Sequence, residues 1–320
     1  MSELLALSHP ISSALVLPNV IAAAGHAASR RFVEFFVAEI RNVNTRQAYG
    51  VAVGQFLAWC DARGLKLHQI EPVIVAAYIE QHPSSPPTVK QHLAALRMLF
   101  DYLVTGQVLP VNPAASVRGP RYVVKRGKTP VLSAEEARGL FDSIEIDTII
   151  GLRDRAFLGV MTYSLARVGA VVAMEVRDYY QNGKRWWLRL HEKGGKFHEM
   201  PVHHTAEEYL DAYIAAAGIM DNKRGPLFRS VVGRSGRLTE RPFDRNAAFY
   251  MVKRRAKAFG LTDKICNHTF RGTGITTYRK NGGTLEKAAA MAAHESTDTT
   301  KLYDRSEDAV TLDEVERIVI

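Results

Sequence analysis

Cysteine is scarce in this chain of 320 residues, which has only Cys60 and Cys266. They form no CxxC pair, which excludes a disulfide framework and a cysteine-based zinc module. So few thiols suit a reducing compartment, and a cytoplasmic protein is expected. No stretch approaches the ~20 apolar residues that a membrane span requires, so no membrane partner is expected. The mildly apolar start, Met1 to Ile21, lacks the basic n-region of a secretory signal. Residues 1–27 are expected to form a loosely ordered leader. Internal repeats and low-complexity segments are missing, and no strand-like alternation occurs before residue 110. Several signatures are missing as well. Gly127-Lys128-Thr129 ends like a phosphate-binding loop, but Tyr122 stands where its first glycine is required, which excludes ATP binding there. Neither GxSxG nor HExxH occurs. His191, His198, His203 and His204 cluster without a cysteine or carboxylate set to complete a metal site. They read as solvated sheet-edge histidines, and no metal or cofactor is expected.

Basic charge, by contrast, is present in excess. The chain carries 42 Lys and Arg against 33 Asp and Glu, a net charge of +9. Residues 1–130 hold 13 basic and 7 acidic residues, and residues 131–320 hold 29 and 26. An excess of this kind suits a polyanionic partner such as nucleic acid or an anionic surface. A soluble, slightly basic enzyme explains it equally well. Hydrophobic residues make up 47% of the chain, enough for a sizeable core, and the length suits about two domains.

The pattern predicts a mainly α protein with a small antiparallel β-sheet. Tyr49, Val53, Phe56, Leu57 and Cys60 recur at helical spacing between a start at Asn44-Thr45 and a stop at Gly64. Val89, Leu93, Leu96, Phe100 and Leu103 share one face of a helix opening near Pro87-Thr88 and ending at Gly106. Helices over 72–81 and 32–40 complete a helical unit over residues 28–110. Residues 111–130 read as a linker. Arg118, Arg121, Lys125, Arg126 and Lys128 fall there with no acid among them. A solvated tether is the plain reading, and a connector lying on phosphates is the functional one. Ser133 and Glu136 form a capping box that opens the second domain, residues 131–306. Residues 186–190 and 197–202 read as two strands joined by a turn at Glu192-Lys193-Gly194-Gly195. A short tail helix is expected over 307–320, with a capping box of Thr311 and Glu314. The ten residues from Thr311 to Ile320 are too few for an isolated helix, so it must dock.

Individually, the chemistry-bearing residues are ambiguous. Arg167 lies among small and apolar residues, an expensive setting for a permanent charge without an anion, although a structural ion pair would suffice. His268 and Arg271 stand three apart, on one face if helical. His294 precedes Tyr303 by nine residues, and tyrosine is usually a core or interface residue.

Together they are more specific. The order Arg167, Lys193, His268, Arg271, His294, Tyr303 resembles the catalytic signature of the tyrosine recombinase (phage integrase) family. The run from His294 to Thr300 does too. Asn44 to Tyr49, Phe56 to Cys60 and Thr88 to Leu93 resemble the family's helical core-binding module, so the likeness spans roughly residues 30–318. It implies a helical N-terminal core-binding (SAM-like) domain followed by a tyrosine-recombinase catalytic domain. It implies a site-specific DNA recombinase that works without ATP or metal through a 3′-phosphotyrosyl intermediate. Tyr303 would be the nucleophile, Arg167 and Arg271 a clamp on the phosphate, and His268 the proton acceptor. His294 would donate to the phosphate and Lys193 would protonate the leaving oxygen, with Lys196 as runner-up.

The resemblance also implies partners. These are double-stranded DNA at the nucleoid and a homotetramer on DNA, with a monomer when free and room for accessory proteins. Arg46, Lys90, Arg118, Arg121, Lys125, Arg126, Lys128, Lys196, Arg254 and Arg255 are the candidate DNA contacts. A solvated helix face explains the run from Lys253 to Lys257 equally well. The tail would dock either on its own domain or on a neighbouring protomer. Two departures stand out. The family's acidic position three after the first arginine holds Ala170, so Arg167 must be oriented from elsewhere, with Glu175 and Asp178 as candidates. The residue after the second arginine is Gly272. Three other readings stay open: a type IB topoisomerase-like relaxing enzyme, a catalytically idle DNA-binding relative, and a metal-dependent nuclease.

Overall fold

Two hydrophobic cores form along the chain, in units spanning Met1–Val123 and Val124–Ile320. A computed structural model describes residues 17–124, 127–192, 195–233 and 235–306, with Glu316 and Ile318, and gives Lys196 by its backbone alone. Lys125, Arg126, Lys193 and the tail helix expected over 307–320 lie outside the described residues, apart from those two positions.

The first unit is helical. It runs α1 (Asn19–Ala22), α2 (His26–Glu34), a π-helical turn over Phe35–Glu39, α3 (Val43–Asp61), a 3-10 turn at Leu67–Gln69, α4 (Pro72–Glu80) and α5 (Pro86–Thr105). The Asn42 side chain accepts from the Asn44 and Thr45 amides and so starts α3. Prolines open α4 and α5, where their missing N–H costs nothing. Phe35, Phe36, Phe56, Leu57, Leu96 and Phe100 are fully buried between them. The leader expected to run through residue 27 ends earlier. Val20 and Ile21 are buried in this core, which folds residues 19–22 into a helical turn and lets α2 begin at His26.

The second unit opens with α6 (Ala134–Asp142), capped reciprocally by Ser133 and Glu136 as expected. There follow α7 (Ile149–Tyr163), α8 (Val168–Val172), a 3-10 turn at Val176–Asp178, and strands β1 (Tyr179–Asn182), β2 (Arg185–Glu192) and β3 (Lys196–Pro201). The strands pair antiparallel in that order, with Leu188 opposite Met200 and Glu192 opposite Lys196. Then come α9 (His204–Ala217), a second two-stranded sheet of β4 (Arg229–Val231) and β5 (Leu238–Pro242), α10 (Arg245–Ala258), α11 (Asn267–Lys280), α12 (Leu285–Met291) and α13 (Thr297–Lys301). The sequence pattern predicted one hairpin. Strand β1 and the second sheet are additional.

Two packing features govern where the functional groups fall. Asp154 is fully buried on α7, and its carboxylate lies 2.7 Å from Arg153, 2.9 Å from Arg255 and 3.3 Å from Arg254. A carboxylate so deeply buried is tolerable only with partners of this kind. Helix α11 crosses α7 at Gly274, where an added Cβ would sit 2.2 Å from the Thr162 carbonyl oxygen and 2.4 Å from the Leu165 side chain. Glycine lets the two backbones approach closely and brings Arg271 against the end of α7.

Candidate active site

Arg167, the N-cap residue of α8, follows directly on a sharp change of direction. Leu165 holds a left-handed φ of 56°, unusual for a side chain branched at Cγ, and turns the chain from α7 into α8. His268 and Arg271 lie in the first turns of α11. His294 follows α12 through Ala293, which also has a left-handed φ of 47°. Tyr303 stands two residues beyond α13.

These five side chains meet. The Tyr303 hydroxyl lies 3.2 Å from His268 Nδ1. The Tyr303 ring stacks on His294, with centroids 5.6 Å apart and planes 19° apart. The Arg271 guanidinium carbon lies 5.7 Å from the centre of the same ring. Arg271 is 1% exposed. It donates to the carbonyls of Leu165 and Ala292, and at 2.6 Å to His294 Nε2. Both carbonyls border the left-handed residues, so the two bends present acceptors to the arginine. Its Nε–H has no hydrogen-bond partner among the described residues.

A guanidinium can only donate, so His294 Nε2 must accept and its ring proton must sit on Nδ1, 2.8 Å from Thr300 Oγ1. His294 was expected to donate to a phosphate. Here both of its ring nitrogens are engaged within the protein, and it holds Arg271 instead. Burial, then the charges of Arg271 and Arg167, pushes its pKa down to about 3. The same three causes lower His268. Burial first, and Arg167 second, bring Arg271 down to about 10, opposed by Glu192 and Tyr303. Both histidines are therefore neutral at pH 7. Among the described side chains, two guanidiniums and one carboxylate then leave an excess positive charge around the phenol.

That carboxylate is Glu192, whose Oε2 lies 2.6 Å from Arg167 Nη1 and whose side chain is 2% exposed. Neither acid expected to orient Arg167 does so. Glu175 pairs with Arg177 at 2.5 Å. Asp178 accepts from the Glu175 amide and faces His191. The sequence reading placed Glu192 in a turn. Its signal was periodicity, because Leu188, Leu190 and Glu192 alternate onto the buried face of β2.

The segment carrying Tyr303 is braced on several sides. Thr276 Oγ1 donates to the Tyr303 carbonyl and accepts from the Arg305 amide, both at 3.1 Å. Arg279 pairs with Asp304 at 3.1 Å. Arg305 reaches back to the Gly127 carbonyl at 2.5 Å and the Thr129 carbonyl at 3.5 Å. Gly272 belongs to this packing, since a Cβ there would lie 3.1 Å from Val131 and 3.8 Å from Tyr303. These braces come from residues too scattered for the sequence reading to have connected.

The basic residues proposed to grip DNA divide. Lys90, Arg118, Arg121 and Lys128 are exposed. Arg46 is spent within the first unit, where Nε and Nη2 both donate to the Ile40 carbonyl left over at the end of the π turn, at 3.0 and 2.8 Å. Arg255 is spent on Asp154 through two nitrogens, at 3.0 and 2.9 Å, because that buried carboxylate needs a close fork of donors. Arg254 also touches Asp154 but stays 59% exposed. Of the four clustered histidines, His191, His203 and His204 are exposed. His203 also caps α9 by accepting from the Thr205 amide, and it stacks on Tyr163. His198 is half-buried with its Nε2 unpartnered. Among the described residues no group of three His, Cys, Asp or Glu could hold a metal ion, and no helix is long and apolar enough to cross a membrane.

The phage integrase family model matches residues 130–309. The tyrosine recombinase XerC of Myxococcus xanthus is 27% identical over 223 residues, covering 68% of this chain and 71% of the relative. The crystal structure of the XerH site-specific recombinase, bound to a palindromic difH substrate in a post-cleavage complex, superposes with a TM-score of 0.69. Identity to it is 17%, over 87% of this chain and 80% of that one. A lambda integrase tetramer bound to a Holliday junction superposes with a TM-score of 0.66 at 18% identity, over 88% and 78%. Both structural likenesses are likenesses of fold.

Proposed function

This chain belongs to the phage integrase family of tyrosine recombinases, and from that premise we propose that it cleaves and rejoins duplex DNA through a 3′-phosphotyrosyl link to Tyr303. The observation that carries the proposal is the convergence of Arg167, His268, Arg271 and His294 around one phenol. Tyr303 Oη attacks the scissile phosphorus and its proton passes to His268 Nδ1, which is neutral and within reach. The bond from phosphorus to the 5′-oxygen breaks. Lys193, with Lys196 as the second candidate, protonates that oxygen.

Charge grows on the non-bridging oxygens as the phosphorus becomes five-coordinate. Arg167 and Arg271 are the groups able to meet it, and the excess positive charge of the site favours an anion before any reaction begins. His294 contributes by fixing Arg271 in its orientation. Two permanent cations can carry the compensation that a divalent metal supplies in other phosphoryl-transfer sites, so no metal is needed. Energy is retained in the protein–DNA ester, and attack by a free 5′-hydroxyl reverses the step without ATP. The partners are double-stranded DNA and further copies of the chain assembled on it as a tetramer. Exposed Lys90, Arg118, Arg121 and Lys128 are candidates for phosphate contacts.

The test is a nicked duplex that traps the covalent product. The wild-type chain is expected to give a denaturation-resistant protein–DNA complex in the presence of chelator. Tyr303→Phe is expected to bind the same duplex within about threefold yet give no such complex, since it lacks the hydroxyl alone. An adduct undiminished in Tyr303→Phe removes the nucleophile assignment, and loss in chelator would favour a metal-dependent nuclease.

A further inference from the structure

We propose that Glu192 is the positioning residue for Arg167, a carboxylate delivered by the hairpin strand in place of one on the arginine's own helix. The inference rests on the recombinase reading and deepens it. Position 170, one turn along α8 from Arg167, holds alanine, packed in the core at 2% exposure. The Glu192 carboxylate arrives instead from the last residue of β2. Oε2 takes the Arg167 Nη1–H at 2.6 Å, and Oε1 lies 3.4 Å from the Arg167 amide nitrogen. One group thus grips both the main chain and the side chain of one residue. It sets where α8 begins and where the guanidinium points.

The exposures give the pair a direction. The Glu192 side chain is 2% exposed and that of Arg167 is 30% exposed. The carboxylate therefore sits on the buried side of the guanidinium, whose remaining surface stays partly open to solvent. The position in the hairpin adds a second consequence. Glu192 pairs with Lys196 in the last rung of the ladder before the turn, and Lys193 is the next residue. In sequence the candidate acids Lys193 and Lys196 both lie within four residues of this carboxylate. Arg271 and His198 also respond electrostatically to Glu192, so its charge reaches both halves of the clamp.

The test compares Glu192→Gln and Glu192→Asp, each alone and with Arg167→Ala, in the full chain on the nicked duplex. Glu192→Gln keeps the shape and loses the charge. It is expected to slow single-turnover adduct formation about 30-fold while DNA affinity changes less than about threefold, the signature of a group acting in the transition state. Added to Arg167→Ala, it is expected to cost less than about threefold more, because a residue acting through the arginine has nothing left to position. Glu192→Asp keeps the charge but withdraws it by one methylene. It is expected to lose about tenfold with an unchanged melting temperature, so the question remains answerable if the glutamine variant folds poorly. Equal losses with and without Arg167, or a wild-type rate in both Glu192 variants, overturn the proposal while leaving the recombinase reading intact. A wild-type chain that forms no adduct overturns both.

Discussion

At the scale of residues, the site depends on keeping two imidazoles neutral beside two cations. His294 has its pKa held at about 3, against an ordinary value of 6.5, by burial and by Arg271 and Arg167. Protonation therefore favours the unfolded chain. The stabilising contribution is complete above pH 6.5 and is lost progressively as pH falls from there toward 3. Melting temperature is expected to fall between pH 7.5 and pH 5, and the fall should be shallower in His294→Asn; equal slopes would contradict the assignment. His268 is lowered in the same direction, so adduct formation should be independent of pH from 6.5 to about 8 and decline in more acid solution. Of the six residues that the resemblance to the tyrosine recombinase signature implied, five meet in space, and Lys193 lies outside the described residues. What the sequence reading missed was their support. Glu192 and Thr300 act through pairings 25 and 6 residues away in the chain, and spacing along one strand or helix says nothing about such partners.

At the scale of elements, the site is assembled by the junction of α7, α8 and α11. Gly274 is the contact point, and Leu165 and Ala293 supply the bends. Gly274→Ala must displace either the Thr162 carbonyl or α11 itself, and backbone does not yield as a side-chain tip does. A loss of about 3 kcal/mol in urea denaturation is expected, with adduct formation falling as Arg271 moves. A stability within experimental error of wild type would show that the crossing is looser than it looks. The long helices α3 and α5 were legible because apolar residues recur along them and caps or prolines mark their starts. Strands β4 and β5 were not. The three residues of β4 are all half-buried, and most of β5 is exposed, so neither alternates in the way that announces a strand. Helices α12 and α13 hold seven and five residues, too few for a repeat to be seen.

At the scale of the whole molecule, charge and architecture are separate matters. The two cores follow from two stretches of apolar periodicity. The net charge of +9 bears on partners and leaves the fold unconstrained. Between the cores, Arg118, Arg121 and Lys128 are exposed on a stretch with no acid from Val117 to Lys128. If these groups lie on phosphates, replacing all three by alanine should weaken binding to any duplex sequence. It should also flatten the slope of log affinity against log salt by roughly 2 to 3, since each phosphate left unneutralised removes about 0.9. An unchanged slope would assign them to a solvated tether. Arg46 and Arg255 show why counting basic residues overstates a DNA footprint, because each looks available in sequence and is consumed by an internal acceptor.

Arg305 carries one more consequence. By holding the carbonyls of Gly127 and Thr129, it buttons the stretch after the nucleophile onto the first residues of its own unit, 178 and 176 positions upstream. A catalytic fragment trimmed to residue 130, where the family match begins, would discard both acceptors. The working minimum of this unit therefore starts no later than Gly127, at least three residues ahead of the boundary that homology suggests.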